Sequence, residues 1–135
     1  VNNADTGWGA PVEDYSVEAW DKVMNLNIRG LFLLTQRIGK RSMMPRRYGR
    51  IVNVASTSGL TGNVPVRMET IADNTSKGAA VNFTRALASE WGEHNITVNA
   101  LAPGFFSVED DAGFSRPRGR GGNVNWYSAA KAGRR

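Results

Sequence analysis

The strongest constraint on the fold is the way the spacing of apolar residues changes along the chain. From Val17 to Met44 apolar residues recur at three- and four-residue steps, the spacing of one helical face. Ile51 to Ala55 is then a short β-branched run, typical of a strand buried on both faces of a parallel sheet. A second helical pattern covers residues 74–91, and a second strand pattern covers residues 96–101. This alternation predicts βαβ crossovers and an α/β fold with a parallel sheet.

Local signals mark where these elements begin and end. Ser16 is a predicted N-cap, and Pro45 marks the end of the first helical region because proline disfavours helical geometry in the residue before it. Small polar residues with glycine and proline predict an irregular loop over Ser56–Thr70, and the periodicity disappears after Pro103-Gly104. In the second helix, the residues expected to face inward are Ala80, Val81, Thr84, Leu87, Ala88 and Trp91, and those expected to face outward are Lys77, Arg85 and Glu90.

The cysteine and histidine content excludes several kinds of site. Without cysteine the chain has no disulfide, thiolate metal site or cysteine nucleophile, and a single histidine, His94, disfavours a zinc cluster or a Ser/His/Asp triad. No metal site is therefore predicted. No segment reaches the roughly 18 consecutive apolar residues of a membrane span. Val1 opens the chain in mid-pattern without a secretory leader, so we expect a truncated start, a cytoplasmic location and no membrane partner.

The formal net charge of +5 comes from the C-terminal tail. From residue 112 onward there are six basic residues and no acid, whereas the first 111 residues hold eleven basic residues against twelve acids, a balance of −1. A function that depends on positive charge is therefore expected only in the tail. The segment Arg118-Gly119-Arg120-Gly121-Gly122 is similar to RNA-binding arginine-glycine segments, but it is short and unrepeated, so nucleic acid is not the predicted partner.

Residues that follow the predicted strands are the first candidates for a functional site. In a parallel α/β sheet, ligands bind at the carboxyl ends of the strands. Those positions hold Asn2-Asn3-Ala4, then Ser56, then Pro103-Gly104. Two further candidates are Asn27, inside the first helical region, and Lys77, in the first predicted turn of the second helix.

Five ordered segments between residues 1 and 106 resemble a single known family. They are Val1-Asn2-Asn3-Ala4, Met24-Asn25-Leu26-Asn27-Ile28-Arg29-Gly30, Gly49-Arg50-Ile51-Val52-Asn53-Val54-Ala55-Ser56, Asn74-Thr75-Ser76-Lys77 with Gly78-Ala79-Ala80, and Asn99-Ala100-Leu101-Ala102-Pro103-Gly104. Together they resemble the short-chain dehydrogenase/reductase family, especially its gluconate 5-dehydrogenase-like and 3-oxoacyl-acyl-carrier-protein reductase-like members. The resemblance implies a partial Rossmann-like three-layer sandwich over residues 1–106, truncated at both ends, and an atypical basic glycine- and arginine-rich tail over residues 107–135.

The resemblance also implies a reaction and a set of site residues. The reaction is hydride transfer between NAD or NADP and a small carbonyl compound or secondary alcohol. In the family pattern Ser56 polarises the carbonyl, Lys77 holds the nicotinamide ribose and Asn27 supports a proton-relay water. The cofactor-binding positions that the resemblance implies are Asn3, Ala4, Lys77, Pro103 and Gly104.

Three departures from the family pattern leave it open whether this chain is an active enzyme. The glycine-rich turn that binds the dinucleotide phosphates lies upstream of Asn2 in the family and is not in this sequence, so cofactor binding is expected to be weak. Asp5 replaces a glycine, which would bring a carboxylate near an anionic cofactor. Asp73 occupies the position of the catalytic tyrosine, four residues before Lys77. A carboxyl group with an ordinary pKa of about 3.9 has no proton to give at neutral pH, so Asp73 is expected to form a helix-surface pair with Lys77 instead.

Two alternatives to an impaired oxidoreductase remain. One is a catalytically inactive piece that acts in assembly, because the two long helices of this family commonly build its homo-oligomer interface. The other is a basic tail that binds nucleic acid. The tail also carries Tyr127 and Lys131 with the family's tyrosine-lysine spacing, but after the strand that should follow that helix. Catalysis through Tyr127 is therefore not expected.

Overall fold

The computed structural model describes residues 1–61 and 69–104, and the backbone alone of residues 125–128. Its regular elements, in chain order, are a 3-10 turn at Val12–Asp14, α1 at Val17–Met24, a π-helical segment at Asn25–Gly30, α2 at Leu31–Ile38, a second π-helical segment at Gly39–Met43, β1 at Gly49–Val54, α3 at Ser58–Thr61, α4 at Ile71–Trp91, a 3-10 turn at Gly92–His94, β2 at Ile96–Ala102 and β3 at Asn125–Ser128. The order helix, strand, helix, strand is the one the apolar spacing predicts.

The first helical region is continuous from Val17 to Met43. The Ser16 hydroxyl accepts a hydrogen bond from the Ala19 amide at 3.2 Å, which confirms the predicted N-cap. Two segments of this run have the wider π turn, and the first of them contains Asn27. Such turns occur frequently at functional sites because they shift the direction of side chains relative to a regular α-helix.

The central pair of strands is parallel, with Gly49 opposite Ile96 and Val54 opposite Leu101. The backbone of Asn2 extends the sheet beyond β1, since its amide donates to the Val52 carbonyl at 2.8 Å and its carbonyl accepts from the Val54 amide at 3.0 Å. The parallel α/β arrangement is therefore confirmed, and the N-terminal segment joins the sheet through a single parallel bridge between Asn2 and Asn53.

The third strand, β3, lies where no apolar periodicity predicts an element. It pairs antiparallel with β2, with Asn99 opposite Ser128 and Ala102 opposite Asn125. Tyr127 is thus part of a strand backbone opposite Ala100. The rest of the basic tail, including its arginine-glycine segment, lies outside the described residues.

The core lies between the sheet and α4. One cluster joins Ile51, Ile96 and Val98 of the sheet to Leu87 of α4. A second joins Ala55 and Ala100 to Ala80 and Val81, and Ile28 and Leu31 of the first helical region pack against it. Small side chains in the second cluster bring α4 close to the strand ends, which is the place where the candidate site residues converge.

The structure corrects three local predictions. The second helix begins at Ile71, so Asp73 lies in its first turn and Lys77 one turn further on. The predicted irregular loop contains a short helix, α3, at Ser58–Thr61. Lys77 is buried, whereas Arg85 and Glu90 are exposed as predicted. The charge of Lys77 had suggested an outward position, but the residue lies on the same buried face as Ala80, Val81 and Thr84.

Within the described residues, no helix has the length and apolar character needed to cross a membrane.

Candidate active site

A cavity of about 270 Å³ opens beside the carboxyl end of the Asn2 bridge and of β1. Polar residues from four parts of the chain line it: Asn2, Asn3, Asn27, Asn53, Ser76 and Lys77. Two of the predicted cofactor-binding residues, Asn3 and Ala4, therefore share a cavity with two of the predicted catalytic residues, Asn27 and Lys77. Ser56, Pro103 and Gly104 do not line it.

Asn27 joins the N-terminal segment to α4. Its amide oxygen accepts from the Thr6 amide at 2.9 Å, and its amide nitrogen donates to the Thr6 carbonyl and to the Ser76 hydroxyl, each at 2.9 Å. Ser76 in turn donates to the Asp73 carbonyl at 2.8 Å. Both amide hydrogens of Asn27 are engaged in these contacts, so the side chain fastens the segment after Asn2 against the first turns of α4.

Ser56 directly follows β1 and lies next to the end of β2. The residues on either side of it bond to the backbone of that end: the Ala55 amide donates to the Leu101 carbonyl at 2.7 Å, and the Thr57 amide donates to the Pro103 carbonyl at 3.0 Å. The Ser56 hydroxyl accepts from the Ser58 amide at 3.2 Å and lies 2.9 Å from the Ser58 hydroxyl. The sheet thus brings Ser56 and Pro103 together, as the strand-end argument predicts.

The segment that carries Ser56 docks on α4 at Lys77. Gly59 makes this approach possible, because a Cβ atom there would lie 2.5 Å from the Lys77 carbonyl carbon and 2.6 Å from the Gly78 amide nitrogen. A Cβ on Gly78 would lie 3.2 Å from the Gly59 carbonyl oxygen. Neither glycine is assigned a role in the sequence analysis above. Gly59 follows Ser58 and Gly78 follows Lys77, and glycines at such places can indicate a close approach of two backbone segments.

Lys77 forms an ion pair with Asp5 rather than with Asp73. The Lys77 Nζ is 2.9 Å from the Asp5 Oδ2 and 3.5 Å from the Val54 carbonyl oxygen. The Lys77 side chain is 9% exposed and the Asp5 side chain 43% exposed, so an acid at the surface neutralises a buried ammonium. The predicted surface pair between Lys77 and Asp73 is therefore wrong. The helical spacing is suitable, but packing directs Lys77 inward, where the end of the Asn2 segment brings a closer carboxylate.

The charges of Asp5 and Lys77 also act on the pKa of Asp73. Burial raises the pKa of Asp73 most, the negative charge of Asp5 raises it further, and the Lys77 ammonium partly lowers it. The pKa of Tyr15 is also raised, first by burial and then by the negative charge of Asp73. The Tyr15 hydroxyl donates to the Trp8 carbonyl at 3.2 Å. Four titratable groups from three segments thus lie around the start of α4.

In the two described stretches before residue 105, no group of three or more histidine, aspartate or glutamate side chains is placed to hold a metal ion.

The central strands are parallel, and the polar site residues lie at their carboxyl ends. A crossover helix packs on the sheet. These features define an α/β protein of Rossmann-like type. The family model described as short chain dehydrogenase matches residues 1–119. The chain therefore belongs to the short-chain dehydrogenase family, which confirms the resemblance of its five segments.

Curated relatives include both kinds of member that the sequence resembles. Gluconate 5-dehydrogenase from Gluconobacter oxydans is 36% identical over 109 residues, which cover 81% of this chain and 41% of that protein. A 3-oxoacyl-acyl-carrier-protein reductase from Aquifex aeolicus is 38% identical over 109 residues, which cover 81% of this chain and 42% of that protein. The chain thus spans about two fifths of the length of the curated relatives it matches.

Solved structures share the fold. NAD⁺-bound xylitol dehydrogenase superposes with a TM-score of 0.72 at 36% identity, over 79% of this chain and 40% of that one. A gluconate 5-dehydrogenase from Burkholderia cenocepacia, in complex with NADP and tartrate, superposes with a TM-score of 0.71 at 31% identity, over 84% of this chain and 45% of that one. Nicotinamide dinucleotides, the expected cofactors, are thus bound in solved relatives.

Proposed function

We propose that this chain carries part of the active site of an NAD- or NADP-dependent oxidoreductase that interconverts a secondary alcohol and a carbonyl compound. The observation that supports the proposal is the close approach of the Gly59 backbone, three residues after Ser56, to the backbone of α4 at Lys77. Membership of the short-chain dehydrogenase family supports the reaction class. The names of the relatives support a polyol, a sugar acid or a 3-oxoacyl thioester as the class of substrate.

The residues present fit a ligand that offers hydroxyl groups to Lys77. An ammonium has three donors, and the contacts to Asp5 and Val54 use two of them. The third is available to a hydroxyl, and the half-exposed Asp5 carboxylate can accept from a second one. When bound, the nicotinamide supplies the hydride acceptor or donor. In this proposal Asn3, Ala4, Pro103 and Gly104 would hold the nicotinamide, and Lys77 would orient its ribose.

The remaining steps belong to the side chains of this protein. Ser56 donates its hydroxyl hydrogen to the carbonyl oxygen of the substrate and stabilises the charge that develops there. Asn27 bonds to Thr6 and Ser76 and so fixes the part of the cavity wall that Asn27 and Ser76 form. Asp73 is expected to deliver a proton less readily than a phenol, because a carboxyl group is a much stronger acid and loses its proton at lower pH. Carbonyl reduction is therefore the impaired direction.

The test is steady-state turnover of the chain with secondary alcohols of the sugar-acid and polyol classes, in the presence of NAD⁺ or NADP⁺. Replacing Ser56→Ala should lower kcat by about 10² to 10³, the usual effect of removing one donor to a developing oxyanion. Ser89→Ala is the matched control, since Ser89 is exposed on α4. Equal turnover of the two variants would reject the role of Ser56, and no turnover by the unmodified chain would reject the proposed reaction.

A second candidate function is assembly. The first helical region leaves a row of large apolar side chains 42–49% exposed in the single chain: Leu26, Phe32, Leu33, Leu34 and Ile38. Apolar area of this kind favours burial against another protein surface. We propose a second copy of the chain as the partner. In sedimentation experiments the unmodified chain should have a mass larger than that of one chain, and the Phe32→Glu variant should have the mass of one chain.

A further inference from the structure

The cavity beside the Asn2 bridge offers a ligand very little net charge. Among the described residues that line it, Lys77 is the only one with a charged side chain. The Lys77 Nζ lies 2.9 Å from the Asp5 Oδ2, and Asp5 directly follows Ala4, which also lines the cavity. The cation that a ligand meets in this cavity is therefore already neutralised by a carboxylate of the chain itself.

The ion pair presents a hydrogen-bond donor and a hydrogen-bond acceptor side by side. Asp5 and the Val54 carbonyl take two of the three ammonium hydrogens of Lys77, which leaves one donor for a ligand. The Asp5 side chain is 43% exposed, and an ionised carboxylate has several lone pairs. Asp5 can therefore accept a hydrogen bond from a ligand while it keeps the ammonium.

A vicinal diol matches this pair. One hydroxyl oxygen of the diol can accept from the Lys77 Nζ while the neighbouring hydroxyl donates to the Asp5 carboxylate. The two oxygens of a gauche diol are about as far apart as two hydrogen-bonded atoms, and the Nζ and Oδ2 atoms of the pair have a similar separation. The ligand that leaves no group of the pair unsatisfied is therefore an uncharged compound with adjacent hydroxyls.

A carboxylate at the same place meets the negative charge of Asp5. Because the hydrogens of an ammonium point to the corners of a tetrahedron, a ligand oxygen on the third donor of Lys77 lies about 5 Å from the Asp5 oxygen. A like charge at about 5 Å weakens binding by about 4- to 250-fold, for dielectric constants between those of water and of a protein surface. A ligand carboxylate also has no hydrogen to donate to Asp5.

The field of Asp5 extends beyond its ion pair. Burial raises the pKa of Asp73 most, and the negative charge of Asp5 raises it further, although the Lys77 ammonium is present. The ammonium therefore does not cancel the charge of Asp5 at a neighbouring carboxyl group. We expect an anionic ligand beside the pair to experience the same repulsion.

We propose that Asp5 is a specificity-determining residue: with Lys77 it forms a donor–acceptor pair that binds the vicinal diol of an uncharged polyol or sugar and rejects a carboxylate at that place. This inference deepens the proposed function and rests on it, because it ranks uncharged polyols above sugar acids as ligands of the cavity. A ribose ring carries the same diol, so the test compares an open-chain polyol with a riboside.

The decisive experiment measures dissociation constants by NMR titration of the amide signals of the full chain, without cofactor. The probes are erythritol and erythronate, which have the same short carbon chain and differ in one terminal carboxylate, together with methyl ribofuranoside. The unmodified chain should bind erythritol more tightly than erythronate. Asp5→Asn should lower the ratio of the erythronate Kd to the erythritol Kd by at least about fourfold, because it removes the repelling charge.

Two controls identify charge as the cause. Asp21→Asn removes a carboxylate from an exposed site on α1 and should leave the ratio of the two Kd values unchanged. Added sodium chloride should tighten erythronate binding to the unmodified chain and leave erythritol binding unchanged, because salt screens the repulsion between two partly exposed charges. A purely structural role of Asp5 would not give this dependence on salt.

Three outcomes would overturn the proposal. They are an unchanged Kd ratio in a folded Asp5→Asn chain, the absence of shifts at residues 4–6 and 77 when erythritol is added, and binding of the riboside without binding of erythritol. None of these measurements involves turnover. Selective diol binding by a chain that oxidises no alcohol would reject the proposed reaction and keep the selectivity of the pair. Turnover of alcohols with a Kd ratio that Asp5→Asn does not change would reject the inference and leave the proposed function standing.

Discussion

Position 73 holds a carboxylate in the first turn of α4, at the place where the family pattern has a tyrosine. Around it, Asn27 bonded to Ser76 and Lys77 paired with Asp5 fasten α4 to the first helical region and to the N-terminal segment. The group in the first turn of that helix is a carboxylate instead of a phenol. A carboxylate is shorter than a phenol and is a much stronger acid, so we expect the substitution to affect proton transfer more than the fold.

Replacing Asp73→Tyr should restore carbonyl reduction. General acid catalysis typically contributes about 10² to 10⁴ in rate, and the phenol next to Lys77 would supply it. The gain in reduction rate is measured with a ketone of the sugar-acid class, by monitoring the loss of NADPH or NADH absorbance. Asp21→Tyr is the control, because Asp21 is exposed on α1. Equal rates for the Asp73 and Asp73→Tyr chains would show that position 73 does not face the reacting oxygen.

At the scale of elements, the site depends on two contacts to α4, one made by the Asn27 side chain and the other by the backbone at Gly59. They hold different segments against neighbouring turns of the same helix. We therefore expect these two contacts to matter more for the geometry of the site than for the core, whose apolar clusters lie further along α4 and the sheet.

Asn27→Ala should destabilise the chain by about 1 to 3 kcal/mol, because it leaves the Thr6 amide and carbonyl without their partner. Urea unfolding followed by circular dichroism measures the change. Asn25→Ala is a matched control within the same π segment, since Asn25 is exposed. A loss no larger than that of the control would mean that water replaces the Asn27 contacts at little cost.

Gly59→Ala should cost about 1 to 3 kcal/mol, because the added methyl group meets the α4 backbone and forces the two segments apart. The same substitution should also lower turnover, since Ser56 moves with α3. Gly7→Ala offers a control with open space, as no atom lies within 4 Å of a Cβ built there. A stable and fully active Gly59→Ala chain would contradict the docking of the Ser56 segment on Lys77.

At the scale of the whole molecule, charge is divided between a nearly neutral body and a basic tail. Substituting Arg116, Arg118 and Arg120 by glutamine should remove salt-sensitive retention on heparin, because affinity for a polyanion depends on the number of cations that contact it. The matched control replaces Arg29, Arg37 and Arg41, which are exposed on the first helical region. Loss of retention in the control variant instead would place the polyanion surface on that helical region.

Much of this protein can be predicted from local patterns. Apolar spacing identified both long helices and the two parallel strands, and the Ser16 cap was correct to the residue. These features depend on neighbours within a few residues along the chain, which the sequence displays directly. The strand-end rule selected Asn3 and Ala4, which line the cavity, but it also selected Ser56 and Pro103, which do not.

The tertiary structure decided the properties that depend on contacts distant in sequence. The pairing of Lys77 with Asp5, the burial of that lysine and the approach of Gly59 to α4 all join segments that no local pattern connects. The pairing of β3 with β2 is of the same kind. The sequence by itself determined the two long helical regions, the two parallel strands, their order and the identity of the polar groups. Packing determined which of those groups meet, because the distance between two side chains in a folded chain depends on how the elements stack and not on their separation in sequence.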